Sequence, residues 1–347
     1  MLNICIIGTG RAGLVHAGNI ARRIKQAQLV ALCDASPDSL AKAADQFPSA
    51  RRYTDYRQAL DDTEVQAVVI ATPAFLHCEI ACQAAARGKH VFLEKPMALS
   101  VEECERIVEA AGRAPVTLQL GFMRRFDASF LQAKEMLDSG DLGRVMIIKS
   151  TGRGPGLPPR WIYDISKSNG VLAEVNSHDF DSLRWLVGSE IERVYSEAAN
   201  FKCPDARADY PDFYDNAVVL LRFADHTLGV IDGACPVHYG YDARVEVLCE
   251  KGAIFLGSVG DRGLSRVTRE GNVVSRTIDS WRTLFREAYI AEIEHFISCV
   301  TEGTTPRATG LDGLKAVEAV VAANTSIATG QPVTVGAPPD GASAANA

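Results

Sequence analysis

A chain of 347 residues is too long for one ordinary hydrophobic core and predicts two domains. Its 47% hydrophobic and 23% charged content is that of a soluble globular protein, and a net charge of -7 argues against a nucleic-acid partner, which would need a basic stripe. No apolar run approaches the roughly 20 residues of a membrane span, and "MLNICIIGTG" lacks the basic flank and long apolar stretch of a signal peptide. The expectation is a cytoplasmic protein with no membrane partner.

The first third alternates strands and helices. "NICIIG" ends at Gly8, a helix follows from about Arg11 to Lys25, and "QLVALCD" is the second strand. A helix after Ser36-Pro37, the strand "VQAVVIATP", a helix from Phe75 to Arg87 and the strand "KHVFLEKP" continue the pattern. In "SVEECERIVEAAG", Ser100 and Glu103 form a capping box, and "VTLQLGF" closes the domain. Continuous β-branched runs between amphipathic helices indicate parallel strands covered on both faces, a doubly wound Rossmann sheet over residues 1–121. The nine cysteines form no C-x-x-C pair; Cys5, Cys33 and Cys249 sit in apolar strands as small core residues, and Cys78 and Cys82 have no partner pair that would make a zinc site. No metal is expected.

Gly8-Thr9-Gly10-Arg11-Ala12-Gly13 is a G-x-G-x-x-G motif placed after a strand and opening a helix, where its physics requires. Gly8 permits the turn, Gly10 admits a pyrophosphate to the backbone, and Gly13 lets helix and strand pack closely. The helix N-terminus offers free N–H groups and partial positive charge. Asp34 ends the second strand at the spacing expected of a carboxylate that accepts ribose hydroxyls. No arginine follows among Ala35, Ser36 and Pro37, which favours NAD over NADP. Ligands bind at the carboxyl edge of a parallel sheet, so Thr72, Pro73 and His77 of "ATPAFLH" and Glu94 and Lys95 of "EKP" join the cofactor-binding candidates. Lys95, at a strand end, can hydrogen-bond a substrate hydroxyl and stabilise charge on its oxygen.

Further on, "RVMIIKSTG", "DNAVVLLRF", "HTLGVIDGA", "ARVEVLCE" and "GAIFLG" are strands with short connections, so strand follows strand over 122–335. Between the first two lies "NGVLAEVNSHDFDSLRWLVG", 169–188. Its Leu172, Phe180, Leu183 and Val187 recur at helical spacing as a buried stripe, and Glu174, His178, Asp181 and Trp185 stack on the opposite face. Asn176 falls on the apolar side, as a core amide. The preceding "GRGPGLPPRWIYDISKSNG" is a long loop whose Arg153, Arg160, Tyr163 and Asp164 are candidates to cover a site. Helices at 285–301 and 311–328 close the chain, and the small, proline-bearing tail 336–347 is expected to be disordered.

The glycine motif, "ATPAFLH", "EKP", "GFMRRFD" at 121–127, the 169–188 stretch, "YGYDARVEV" and "FREAYIAEIEHFI" together resemble the Gfo/Idh/MocA family of nicotinamide-dependent oxidoreductases. "GFMRRFD" and "YGYDAR" look most like the inositol 2-dehydrogenases within it. The resemblance implies a C-terminal α+β domain with a large, mostly antiparallel open sheet, through which such proteins form homodimers or homotetramers. It also implies that Glu174 and His178 face the nicotinamide, at a position where the family more often has aspartate first. Asp179 and Asp181 match the same motif; Asp181 reads as structural or partly substrate-facing, and Trp185 as packing at the rim.

Oxidising a secondary alcohol removes a hydride from carbon and a proton from oxygen. A histidine is a suitable base near neutral pH. The resemblance therefore implies His178 as general base, Lys95 as the group that binds and polarises the oxygen, and Glu174 as an orienting or substrate-binding group. Arg124, Arg153, Tyr163 and Tyr289 join Lys95, Glu174 and His178 as substrate-binding candidates, with Tyr239, Tyr241 and Arg286 in nearby family-like motifs. The expected activity is NAD-dependent oxidation of a cyclic polyol or sugar, an inositol first. The alternatives are a sugar reductase or oxidoreductase of the same family using NADP or a tightly held cofactor, and a non-catalytic nucleotide sensor on the same fold.

Overall fold

The computed structural model describes residues 1–267 and 273–336. The expected disordered tail lies outside the described residues except for Gly336.

The first sheet has six parallel strands, β1 Leu2–Ile7, β2 Ala27–Cys33, β3 Arg51–Tyr53, β4 Ala67–Ile70, β5 His90–Leu93 and β6 Leu118–Leu120, in the order β3-β2-β1-β4-β5-β6. The order reverses beside β1, and a crevice at such a point binds ligands at the carboxyl ends of the strands. Five helices connect them: α1 Arg11–Arg22, α2 Pro37–Gln46, α3 Tyr56–Asp61, α4 His77–Ala86 and α5 Val101–Arg113. Ser36 caps α2 and Ser100 caps α5, each accepting the backbone N–H three residues on. The short β3 and α3 escape the sequence reading because three and six residues are too few to show a period. All nine cysteines are free.

Beyond a 3-10 turn at Met123–Phe126 come α6 Ala128–Asp138, β7 Val145–Arg153, α7 Ile165–Ser168, α8 Gly170–Glu174, α9 Ser177–Val187, β8 Ile191–Ala199 and α10 Ala206–Asp209. Then follow β9 Asn216–Phe223, β10 Leu228–Ala234, β11 Asp242–Cys249, β12 Gly252–Leu256, the hairpin strands β13 Gly260–Val267 and β14 Val273–Thr277, α11 Trp281–Leu284, α12 Arg286–Glu302, α13 Gly310–Thr329 and β15 Val333–Thr334. The second sheet runs β12-β11-β7-β10-β9-β8-β15, and only β7 and β10 pair in parallel. Side chains alternate across it. Ile148, Ser150 and Gly152 of β7 face the helices and are buried, whereas Lys149 and Arg153 lie on the outer face.

Two features correct the sequence reading. The 169–188 stretch is two helices, with the chain turning at Val175 and Asn176. The cause is Asn176, whose buried amide donates to the Gly152 carbonyl (3.1 Å) and to Asp179 (2.8 Å). An added Cβ at Gly152 or Gly233 would lie within 2.6 Å of that amide, so the two glycines make its berth. The first core also extends beyond residue 121. Helix α12 sends Ile290, Ile293, Phe296 and Ile297 into one cluster with Ile6 and Phe92 of the first sheet and Ile20 of α1.

Candidate active site

The glycine loop is pulled taut against β4. A Cβ on Gly13 would lie 1.9 Å from the Gly8 carbonyl oxygen, and one on Gly8, whose φ is +96°, would lie 2.6 Å from that of Ala71. Gly10 faces open space, with nothing within 4 Å of where its Cβ would stand. Asp34 crosses over to this loop: its carboxylate accepts the backbone N–H of Thr9 (2.7 Å), the Thr9 hydroxyl (2.8 Å) and the N–H of Ser36 (2.9 Å). A tight first glycine, an open second, a packed third and a carboxylate at the end of β2 fit a bound NAD. Arg11 and Ala12 open α1 at this loop.

At the neighbouring strand ends, His77 ties two loops together. One ring nitrogen meets the Pro96 carbonyl (2.8 Å) and the other that of Thr72 (2.9 Å). His77 is buried, and both of its ring nitrogens lie on backbone carbonyls. Burial holds its pKa below the ordinary value, against the two carbonyl bonds. Pro73 precedes the turn that opens α4.

Glu94 is likewise inward. It is buried, bonds His16 on α1 (2.6 Å), and accepts the backbone N–H of Lys95 (3.2 Å). Both carboxylate oxygens have a partner within the protein. Lys95, by contrast, reaches across to the second domain, where its ammonium donates to the main-chain carbonyl of Glu174 at 2.6 Å. The end of β5 and the end of α8 thus meet. The Glu174 carboxyl is raised in pKa by burial, offset by Lys95, raised further by Glu94 and lowered by Arg11. The charges of the glycine loop and the β5 edge therefore act on one carboxyl of α8.

His178 sits in the first turn of α9, 6% exposed, with its ring edge-on to Phe122 at 6.2 Å between centroids. Its Nδ1 is buried without a hydrogen-bond partner. Burial first, then the positive charges of Lys95 and Arg124, hold its pKa well below the usual value. Among the described residues no hydrogen bond joins Glu174 to His178, because the turn at Val175 and Asn176 separates them; the orienting role expected of Glu174 has no contact behind it.

Several other candidates are committed elsewhere. Arg124 is buried and bonded to Asp179 (2.6 Å), which also accepts the Asn176 amide. Its guanidinium is a fixed charge near His178 rather than a free substrate ligand. Arg153 projects to the outer face of the second sheet, paired with Asp232 and bonded to the Tyr239 hydroxyl. Strand parity therefore sets it on the opposite face of the sheet from Ser150 and Gly152. Tyr163 is buried against Phe213, with ring centroids 4.5 Å apart, and serves packing. Asp164 caps α7, Arg160 lies exposed near Asp209, and Arg286 is exposed at the start of α12. Tyr289 packs on the His16 ring at 5.6 Å and on Trp281 at 5.1 Å; Glu94, Glu292, Tyr241 and Arg124 all bear on its hydroxyl.

The polar face expected on 169–188 is not solvated. Asp181 is buried and takes a bidentate fork from Arg125 (2.7 and 3.0 Å), which also reaches Asp312 on α13 (2.9 Å). Trp185 lies 5.7 Å from that guanidinium. Arg125 escaped the sequence reading; its signal is its place beside Arg124 in an otherwise apolar turn. His16 and Glu292 also escaped it. Each interrupts a buried helical stripe, Gly13, Ala17 and Ile20 on α1 and Ala288, Ile293 and Phe296 on α12, and a polar side chain there requires a partner.

Comparison with known proteins identifies the family. Residues 2–122 match the oxidoreductase family with an NAD-binding Rossmann fold, GFO_IDH_MocA, and residues 130–255 match its C-terminal domain. A myo-inositol 2-dehydrogenase of Thermotoga maritima is 33% identical over 94% of this chain and 96% of its own. A scyllo-inositol 2-dehydrogenase (NAD(+)) of Bacillus subtilis is 32% identical over 94% of each. The crystal structure of a Lactobacillus casei scyllo-inositol dehydrogenase with bound NAD(H) and scyllo-inositol superposes with a TM-score of 0.88 at 27% identity, over 97% of this chain and 100% of that one. Matched in both domains and related over nearly its whole length, the chain belongs to the Gfo/Idh/MocA family of oxidoreductases and carries that family's NAD-binding Rossmann domain.

Proposed function

We propose that the protein oxidises a secondary hydroxyl of a cyclic polyol, an inositol first, with His178 as the base and Lys95 as the group that binds the oxygen. The observation that carries the reading is the Lys95 bridge to Glu174, which joins the carboxyl edge of the first sheet to the helix pair that holds His178. NAD, when bound, supplies the hydride acceptor. The residues supply the rest. A depressed pKa leaves the His178 imidazole neutral at neutral pH, ready to take the hydroxyl proton. The Lys95 ammonium donates a hydrogen bond to the same oxygen and stabilises the negative charge it develops. Arg124, held by Asp179, keeps positive potential beside His178, which favours return of the proton to solvent after the reaction. The relatives named for myo- and scyllo-inositol support the substrate class.

The outer face of the second sheet supports a homo-oligomer. Val218, Leu220, Leu228 and Phe255 are 46–72% exposed on a sheet whose other face is covered by helices. Exposed apolar groups on one face of a sheet are what a subunit interface buries.

The activity is tested by mixing protein, NAD and a panel of inositols and pyranoses and following the near-ultraviolet absorbance of reduced nicotinamide. Turnover with at least one inositol is expected. Tight NAD binding with no turnover across the panel would overturn the reading in favour of a nucleotide sensor.

A further inference from the structure

Beneath Lys95 lies a buried cluster that the proposed reaction does not use. His16 from α1, Glu94 from the end of β5 and Glu292 from α12 bring one nitrogen and two carboxylate oxygens within 4.8 Å of one another. All three residues are buried, His16 and Glu292 completely. Phe92 and Tyr289 wall the imidazole at 5.1 and 5.6 Å, and Phe296 packs behind Phe92. His16 and Glu94 are bonded to each other, and Glu94 also holds the N–H of Lys95. Glu292 is different: neither of its oxygens has a donor. The nearby amide of Gln119 donates to the Glu292 main-chain carbonyl, and the Gln119 Oε1 is left without a partner.

A second ionised carboxylate in this enclosure would face Glu94 with no donor and no solvent, a costly arrangement. One proton removes the conflict. It cancels the like charge and makes Glu292 a donor, with the Glu94 carboxylate and the unpartnered Nδ1 of His16, whose Nε2 bonds Glu94, as the acceptors within the cluster. We infer that Glu292 is a neutral carboxylic acid whose proton is shared with Glu94, so that α12 positions the Glu94–Lys95 edge on which the Lys95 ammonium stands. The charged and titratable groups around it are His16 from α1, Glu94 and Lys95 from β5, and Tyr289 from its own helix. Burial and Glu94 both act to hold the proton on Glu292. Its role is positioning, and the effect on turnover rests on the proposed role of Lys95.

The test begins with infrared spectroscopy of the full protein with NAD bound, at pH about 8, where ordinary carboxyls are ionised. The expected result is a carboxylic-acid carbonyl band above the amide region that disappears in Glu292→Gln. Absence of the band, or its persistence in Glu292→Gln, overturns the inference. So does a stoichiometric divalent metal in the purified protein that Glu292→Gln removes, since the same three side chains would then be ligands. Kinetics with an inositol separate positioning from packing. Glu292→Gln keeps a neutral donor and is expected to hold kcat within about threefold of wild type, whereas Glu292→Leu, which fills the space with no donor, is expected to lower it about tenfold, the scale of one lost hydrogen bond. Equal losses in both variants overturn the inference. The infrared band is read without substrate, so it decides the protonation of Glu292 even if no inositol is turned over.

Discussion

The ammonium of Lys95 is held by the backbone carbonyl of Glu174, 79 residues further along the chain, and not by the Glu174 carboxyl. The side chain at 174 therefore does not set the position of the lysine. The bridge between the domains therefore does not depend on which carboxylic acid stands at 174. The two residues are expected to separate in their kinetics. Lys95→Met should lower kcat about 10²–10³-fold, the scale of one removed oxyanion donor. Glu174→Gln should cost less than about tenfold, the scale of one net hydrogen bond. Steady-state rates with an inositol and saturating NAD check the contrast.

His178→Ala should lower kcat by about 10²–10⁴, the range of general acid–base catalysis, and leave the NAD dissociation constant near that of wild type. Fluorescence titration with NAD beside the kinetics reads both numbers. Equal losses in binding and turnover would reassign His178 to the cofactor.

The pH dependence follows from the direction of the His178 shift. Its folded pKa is depressed by burial and by Lys95 and Arg124, so the neutral base persists as the pH falls below about 6.5, where a free histidine takes a proton. The acid limb of kcat/KM for oxidation should lie well below that value. The unfolded chain binds this proton first. Hence the stability contributed by neutral His178 is present above about pH 6.5 and lost as the pH falls toward the folded pKa. Rate profiles and denaturation midpoints between about pH 5 and 8 measure the two effects.

Gly10 and Gly13 should fail differently. In Gly13→Ala the new carbon meets the Gly8 backbone at 1.9 Å, so the loop must move, at a cost of about 1–3 kcal/mol or more. In Gly10→Ala it meets no protein atom, so the melting temperature should hold while NAD affinity drops. Thermal melts with and without NAD distinguish the two.

Two arginines test burial against exposure. Arg125→Met strands the buried Asp181 carboxylate and should cost about 3–5 kcal/mol. Arg153→Met breaks a partly exposed pair with Asp232, whose side chains are 28% and 40% exposed, and should cost no more than about 1 kcal/mol. It should also leave KM for the polyol unchanged, because Arg153 lies on the outer face of the sheet. Denaturant titration and kinetics read both variants.

The oligomer proposal predicts that Leu220→Glu, at a position 51% exposed on the outer face, shifts the protein to a smaller species by light scattering while its circular dichroism is kept. A monomeric wild type would overturn it.

Much of this protein is determined locally. The β-branched runs, Ser36 and Ser100 as caps, the three glycines and the acid ending β2 are short-range signals, and each stands where its spacing places it, because backbone geometry and hydrogen-bond needs act within a few residues. What tertiary structure alone decided is where the long side chains end. Strand parity turned Arg153 outward, and the amide of Asn176, wedged between two glycines, broke one helix into two and parted Glu174 from His178. Arg124 and Glu94 found partners inside the protein, in Asp179 and His16. Helix α12 returned nearly two hundred residues after β5 to set Glu292 beside Glu94. A buried charge is settled by whichever group is packed against it, and packing joins segments whose separation along the chain carries no periodic trace.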